Sequence, residues 1–474
     1  MTLAEVIGSA ESIGSAESIG LSADECLKCN VCNTACPVLR VTDAFPGPKY
    51  VGPQAQRFRL GVELAPGSPT WPNLPSPDVT VDLCSGCGWC TTVCPAGVKI
   101  AEINNRSRAA RRAPGEASGP RTWRRRLRDR LLSDTDLLGH LGVPTAPLAN
   151  LSLRSRAFRA LIQLVIGIHR RAPLPTFARR SFRTVWKRRG GLMPASPEVP
   201  GLPPPDRAVV YFHGCAANYQ EPYLGETAAA VLERNGYALI VPPQVCCGLP
   251  FISNGLYAQA REHARRNIAS LAAFARAGYR IVGTSTSCTH ALKAEYRDML
   301  DLDDADARAV SEATWDICEF LLDLHDQGRL DTGFGRLEGP LPYHAPCQLR
   351  SHGIGLPALD LFALVPGLEA VDLDHDCCGV CGTYGLKEER YDIAMAVGAD
   401  LFRKVRDSGA PAAACDSETC RWQIEQATGT RTRHPIEFLA EAYAAADAGV
   451  GTTAGGAGRA GGGDAGPAEV GTGA

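Results

Sequence analysis

The chain has 474 residues, a formal net charge of −2, and is 45% hydrophobic and 21% charged. That length predicts about three domains. The balance excludes global disorder, a collagen-like chain and a polytopic membrane protein. The unusual count is nineteen cysteines, too dilute in so long a chain for a disulfide scaffold. Met1 to Gly20 shows no basic stretch leading into an apolar one, so no secretory signal is expected. Thiols in that setting point to metal or redox chemistry.

Residues 6–20 contain a duplicated polar phrase, IGSAESIGSAESIG, and positions 1–22 are expected to be a disordered tail. Cysteines then follow at 26, 29, 32 and 36, and again at 84, 87, 90 and 94, a shift of 58 at every position. Each run has the spacing Cys-x2-Cys-x2-Cys-x3-Cys-Pro, that of bacterial two-cluster ferredoxins. Three thiolates on one tight loop bind three corners of a 4Fe-4S cube, and the fourth ligand crosses from the other run. By that rule Cys26, Cys29, Cys32 and Cys94 hold one cluster, and Cys84, Cys87, Cys90 and Cys36 hold the second. Zinc sites take cysteines in two pairs rather than in this spacing. Residues 23–105 are therefore expected to form a helical ferredoxin-type domain with two 4Fe-4S clusters.

Positions 106–200 read as a basic connector. From Arg106 to Arg189 there are 21 Lys or Arg and 4 Asp or Glu, so the remainder of the chain carries −19. Within it, SLRSRAFRALIQLVIGIHRR at 152–171 sets Phe158, Leu161, Ile162, Val165 and Ile166 at helical spacing between arginines. Such a helix suits an anionic membrane surface or a protein partner. Aromatic residues are sparse and no nucleic-acid motif occurs, so nucleic acid is not an expected partner. The Pro- and Gly-rich stretch 187–206 reads as a boundary.

Beyond it, short apolar runs alternate with helical patterns. Strands are predicted at 208–212, 237–241, 279–283, 341–344, 369–373 and 411–414. Helices are predicted at 223–234, 258–277, 355–364, 390–407 and 418–427. The alternation predicts an α/β fold with parallel sheet. A second duplication runs through it. Cys215, Cys246-Cys247-Gly248 and Cys288 recur as Cys347, Cys377-Cys378-Gly379 and Cys420, at shifts of 131 to 132. The units are expected at 201–335 and 336–447, followed by a disordered Gly/Ala-rich tail at 448–474. On a turn, adjacent cysteines can both face one ion, and the glycine permits close backbone approach.

This pattern resembles the CCG domain of the heterodisulfide reductase B subunit and its relatives. The resemblance implies further iron–sulfur or metal sites, one at Cys215, Cys246, Cys247 and Cys288, the other at Cys347, Cys377, Cys378 and Cys420. The chain departs from that pattern. Ser285 and Ser417 stand where its closing CxxC has a first cysteine, and Cys381 and Cys415 are additional thiols. Cys318 is expected to be an isolated core cysteine. His213 and His344, each shortly before the first cysteine of a copy, are expected to be satisfied structural histidines, with hydrogen bonding to a quinone or metal ligation as the alternative. Lys387 and Arg390 are expected to be solvated surface charges.

The wider motifs are FHGC at 212–215, CCGLPFISNG at 246–255, YHAPC at 343–347, CCGVCGTYGLKEERY at 377–391, SETCRWQIEQATG at 417–429 and HPI at 434–436. With KCNVCNTACPVLRV and FPGPKYVGP near the N-terminus, they resemble the C subunit of anaerobic glycerol-3-phosphate dehydrogenases over residues 24–443. The resemblance implies an iron–sulfur electron-transfer subunit. Its implied partners are a flavoprotein dehydrogenase subunit, menaquinone and the inner membrane surface, with a peripheral position on the cytoplasmic side. No GxGxxG, Walker or nucleophile-elbow motif occurs, so no flavin or nicotinamide site and no catalytic residue is expected in this chain. Two alternatives share the layout: the iron–sulfur subunit of a lactate or glycolate oxidase, and a heterodisulfide-reductase-like enzyme.

Overall fold

The computed structural model describes residues 25–56, 80–110 and 123–454, with side chains to position 448. The short repeat at 6–20 and positions 455–474 lie outside the described residues. The C-terminal helix Pro435–Ala454 continues past position 448, where a disordered tail was expected. Its alanine-rich sequence, AEAYAAADA, favours helix strongly enough to carry the backbone on.

Two parallel four-stranded sheets form the body. β1 (Ala208–Phe212), β2 (Ala238–Ile240), β3 (Ile281–Gly283) and β4 (Thr314–Asp316) lie in the order β2-β1-β3-β4. β5 (Gly339–Tyr343), β6 (Leu368–Asp372), β7 (Ala412–Ala414) and β8 (Arg431–Arg433) repeat that order as β6-β5-β7-β8. The duplication is thus one of topology as well as of cysteines. β1 is AVVYF and all five residues are buried, as a central parallel strand covered on both faces requires. Its counterpart β5 is GPLPY. Pro340 and Pro342 have no N–H to donate, and the β5–β7 pairing shrinks to Tyr343↔Ala414 where β1–β3 has three pairs.

Five of the predicted helices are present, as Pro222–Arg234, Tyr257–Arg276, Pro357–Ala363, Tyr391–Asp407 and Glu418–Thr428. The two sheets share one core, in which Tyr211, Phe320, Tyr343, Phe362 and Phe438 are buried together. Arg421, fully buried in the second unit, pairs with Glu221 of the first at 2.7 Å, and Trp422 donates to the same carboxylate. The pair locks the units to one orientation. Leaving either charge buried alone would cost about 3–5 kcal/mol.

The basic segment is not one patch. The Arg106 guanidinium pairs with Asp301 at 2.7 Å, and Arg128 pairs with Glu389 at 2.7 Å while also donating to the Gly167 carbonyl. Arg124 pairs with Glu388 at 2.8 Å. Arg124 and Arg128 tie the helix Trp123–Ser133 to the second unit. The amphipathic stretch is broken at Ser155, whose hydroxyl caps the helix Arg156–Ile166 by accepting from the Phe158 N–H. Gly167, at φ 75°, ends it.

Lys387 and Arg390 are not solvated. Lys387 donates to Asn254 Oδ1 at 2.6 Å and lies 3.2 Å from Asp129. Arg390 is half-buried over the Tyr384 ring. Both partners of Lys387, Asn254 and Asp129, come from sequence-distant segments, which periodicity cannot register.

Candidate functional site

The two ferredoxin-type loops are shaped by left-handed residues. Gly86 and Gly88 have φ of 72° and 83°, and the first loop places Lys28 and Asn30 at φ 59° and 71°, the same positions shifted by 58. Asparagine tolerates this region. Lysine there is a sparsely populated conformation, of the kind that persists where the surroundings hold it. These left-handed residues bend the backbone between the successive cysteines of each run. Short helices, Val31–Ala35 and Trp89–Thr92, then carry the third cysteine of each run.

Thiols group across the two runs. Cys32 lies among Cys26, Cys94 and Cys29, and burial together with these neighbours raises its pKa. Cys90 lies among Cys84, Cys87 and Cys36, and burial raises it strongly. Cys36 is pushed up to about 11, chiefly by burial. The raised pKa values of Cys32, Cys36 and Cys90 are what a cationic iron core would reverse, because coordination deprotonates a thiol. The first group is the outer one, with Cys29 exposed and Cys26 and Cys94 half-buried. The second is buried throughout. Arg108 holds its loop by donating to the carbonyls of Cys84 (2.5 Å) and Val81 (3.1 Å), and to Ser253 O in the first α/β unit.

Each remaining cysteine group sits at the carboxyl ends of its sheet, where open parallel sheets place ligands. Cys215, Cys246, Cys247 and Cys288 follow β1, β2 and β3. Hydrogen bonds received from Cys215 and Cys247 hold Cys246 well below its usual pKa. Its backbone N–H donates to Asp136 Oδ2 at 2.7 Å, a residue of the basic segment that no motif flagged. In the second unit Cys377 is held down in the same way by Cys347, Cys378 and Cys381. Cys378 and Cys420 stand 3.1 Å apart, and Cys415 is buried beside Cys420. Ser285 bonds not to a cysteine but to Glu418, its hydroxyl donating at 2.9 Å across the two units. Glu418 is buried in a cavity of about 90 Å³ that Cys87, Cys215, Cys247, Cys288, Cys347, Cys378 and Cys420 also line.

The expected structural histidines divide. His213 is buried with Nδ1 2.6 Å from the Gly214 carbonyl, although Nε2 has no partner. In His344, 1% exposed, neither ring nitrogen has a hydrogen-bond partner among the described residues. His344 is thus not satisfied, and an unpaired buried polar group costs about 1–3 kcal/mol. Burial holds both rings neutral, each with a pKa pushed down to about 3. One nitrogen of His344 lies within 4.8 Å of the Cys378 and Cys420 sulfurs, a donor set able to hold a metal ion. Cys318 is fully buried in the shared core as expected, though not isolated: it stands with Asp316 and Asp416, their donor atoms within 4.8 Å of one another.

Residues 22–98 match the family model of the 4Fe-4S dicluster domain, and residues 209–293 and 341–425 each match that of the Cysteine-rich domain (CCG). The C subunit of the anaerobic glycerol-3-phosphate dehydrogenase of Escherichia coli (strain K12) is 36% identical over 433 residues, 89% of this chain and 99% of that protein. The chain belongs to the family of C subunits of anaerobic glycerol-3-phosphate dehydrogenases. It is an iron–sulfur electron-transfer subunit carrying 4Fe-4S clusters. More distantly, it is 26% identical to the glycolate oxidase iron-sulfur subunit of E. coli K12 over 88% of this chain and 93% of that one. It is also 25% identical to the B subunit of the fumarate reductase (CoM/CoB) of Methanothermobacter marburgensis, over 80% of this chain and 63% of that one.

Proposed function

We propose that this chain passes electrons from a flavoprotein dehydrogenase subunit that oxidises glycerol 3-phosphate to menaquinone at the membrane surface. The observation that carries this reading is a continuous file of thiol groups. It starts at the exposed Cys29, runs inward to the buried group around Cys90, and continues through Cys87, buried in one cluster with Cys347 and Cys377. From there the common cavity reaches Cys247 and Cys288. Bound clusters supply the one-electron carriers. The chain's own part is to hold the four groups in line and to leave the outer one open to a donor.

The test uses the native complex, purified without oxygen, with glycerol 3-phosphate, lactate or glycolate added separately. Cluster reduction is followed by electron paramagnetic resonance. Reduction by glycerol 3-phosphate alone is expected. Reduction only by lactate or glycolate would move the chain to the function named for its glycolate oxidase relative.

The membrane part of the reading rests on three successive helices, Thr135–Gly142, Ala146–Arg154 and Arg156–Ile166. They leave Leu141, Leu148, Leu151, Phe158, Leu161, Leu164 and Val165 in solvent, with Leu148 71% and Leu164 74% exposed. Arg154, Arg156, Arg170 and Arg171 are exposed beside them. Among the described residues no helix is long and apolar enough to cross a membrane, so the contact would be a peripheral one. Co-sedimentation with phosphatidylglycerol vesicles is expected, and little with phosphatidylcholine. Burying a leucine contributes about 1.5–3 kcal/mol, so L161E/L164E is expected to weaken vesicle binding at least about tenfold. Reduction of a soluble dye by the complex should be unchanged. Equal binding by the double variant would refute this surface.

A further inference from the structure

We propose that the metal centre of the second cysteine-rich domain is completed by two residues outside the repeated cysteine pattern, the thiolate of Cys381 and the imidazole of His344. The proposal rests on the reading that this domain binds iron and sulfide. It assigns ligands that differ between the two copies.

The first observation is a substitution within the duplication. The shift of 131 that aligns Cys377-Cys378 with Cys246-Cys247 aligns Cys381 with Pro250. A thiol therefore exists at this position in one copy only. It is the same copy whose Ser417 hydroxyl is engaged with Thr419 rather than with any sulfur.

The second is geometric. The sulfurs of Cys347, Cys377 and Cys381 all lie within 4.8 Å of one another, with Cys377 and Cys381 at 3.2 Å. Thiolates around one tetrahedral ion at about 2.3 Å stand about 3.8 Å apart. Cys381 reaches this position through a backbone φ of 40°, unusual for a residue with a side chain. Such outliers cluster at ligand clamps, where the surroundings over-determine them. Gly382, at φ 62°, continues the turn and returns the chain to Tyr384.

The third is His344. Its ring is buried, neither nitrogen has a hydrogen-bond partner among the described residues, and one of them faces the sulfurs of Cys378 and Cys420. In the first copy the matching His213 has its Nδ1 engaged with the Gly214 carbonyl and its Nε2 unpartnered, and among the described residues it joins no close group of thiols. The second centre thus offers five thiolates and one imidazole: Cys347, Cys377, Cys378, Cys381, Cys420 and His344. The first offers four thiolates. Soft thiolates with imidazole suit iron, and histidine in place of cysteine raises the reduction potential of an iron–sulfur centre. The centre nearest Cys87 would then be the stronger electron acceptor of the pair.

The experiment uses the full chain, produced with and without ¹⁵N-histidine, loaded with iron and sulfide without oxygen, and reduced with dithionite. Pulsed electron paramagnetic resonance is expected to show a histidine nitrogen coupling in the natural chain. The coupling should vanish in His344→Gln and persist in His213→Gln. Cys381→Ser is expected to lose the iron and sulfide of one centre while the two ferredoxin-type signals keep full intensity, which reports the fold in the same sample. No histidine coupling in the natural chain overturns the imidazole assignment without any variant. Full iron content and an unchanged spectrum in Cys381→Ser overturn the thiolate assignment. If the natural chain holds no more iron than its two N-terminal clusters account for, the cluster-binding reading of the domain fails, and the ligand assignment with it.

Discussion

Replacing Cys87 by serine is expected to cut electron delivery from substrate to quinone by at least about 100-fold, beyond the 10- to 100-fold that loss of an outer-shell partner costs a metal site. Among the described residues Cys87 is the one ferredoxin-type cysteine buried in the same cluster as Cys347 and Cys377. Burial raises its pKa strongly, and the neighbouring Cys377 adds to the effect. A serine there keeps the size and removes the soft donor. The signal of the outer group, Cys26, Cys29, Cys32 and Cys94, should survive and should still appear when substrate is added. Signals from the inner group should be lost, and turnover with a quinone analogue should fail. Anaerobic stopped-flow mixing with substrate, followed by freeze-quench spectroscopy, separates the two. Undiminished turnover in Cys87→Ser would mean that electrons reach the α/β units by another route, and the file of thiols would lose its meaning.

The parts of this arrangement that were legible in the sequence are those written in local spacing. The 2-2-3 cysteine runs, each closed by proline, need only a loop and a short helix to converge. AVVYF announces a buried strand because its β-branched and aromatic residues form a short apolar run that suits a strand covered on both faces. The shift of 131 to 132 between cysteine groups foretells two units of one topology. β4 and β8 were not foreseen, because TWD and RTR are three residues each and carry no apolar run. Their pairing is supplied by β3 and β7.

Residues whose roles depend on distant partners were equally hidden. Asp136 reaches the Cys246 amide from a helix that reads as part of a charged connector. Glu418 looks like a spacer within SETC, yet its carboxylate spans the two units to Ser285. Lys387 and Arg390 sit among polar neighbours in sequence and among buried ones in space. Arg106 and Arg128 belong to a run of 21 basic residues that reads as a surface, but both are buried and paired. Composition can locate a charge in the chain; only the fold decides whether that charge meets water, lipid or a carboxylate.

Alanine at Gly379 is expected to be far more damaging than alanine at Gly248, although the two glycines hold the same place in the repeated Cys-Cys-Gly turn. Both are left-handed, at φ 88° and 86°. A side chain in that conformation costs about 1–2 kcal/mol at either position. The difference lies in the neighbouring helix. At Gly248 an added Cβ would stand 3.3 Å from the Ala260 carbonyl oxygen, a contact that a small shift relieves. At Gly379 it would run into the Ala394 carbonyl and its backbone carbon, which cannot swing aside without unwinding the helix Tyr391–Asp407. Overpacking adds about 1–3 kcal/mol. Gly379→Ala should therefore lose about 2–5 kcal/mol against about 1–2 for Gly248→Ala. Since the turn also carries Cys377, Cys378 and Cys381, the second domain should lose its iron before the first. Thermal unfolding of both variants, with iron measured after gel filtration, checks the order. Equal losses would mean that the helix yields and that the turn, rather than its packing, sets the requirement for glycine.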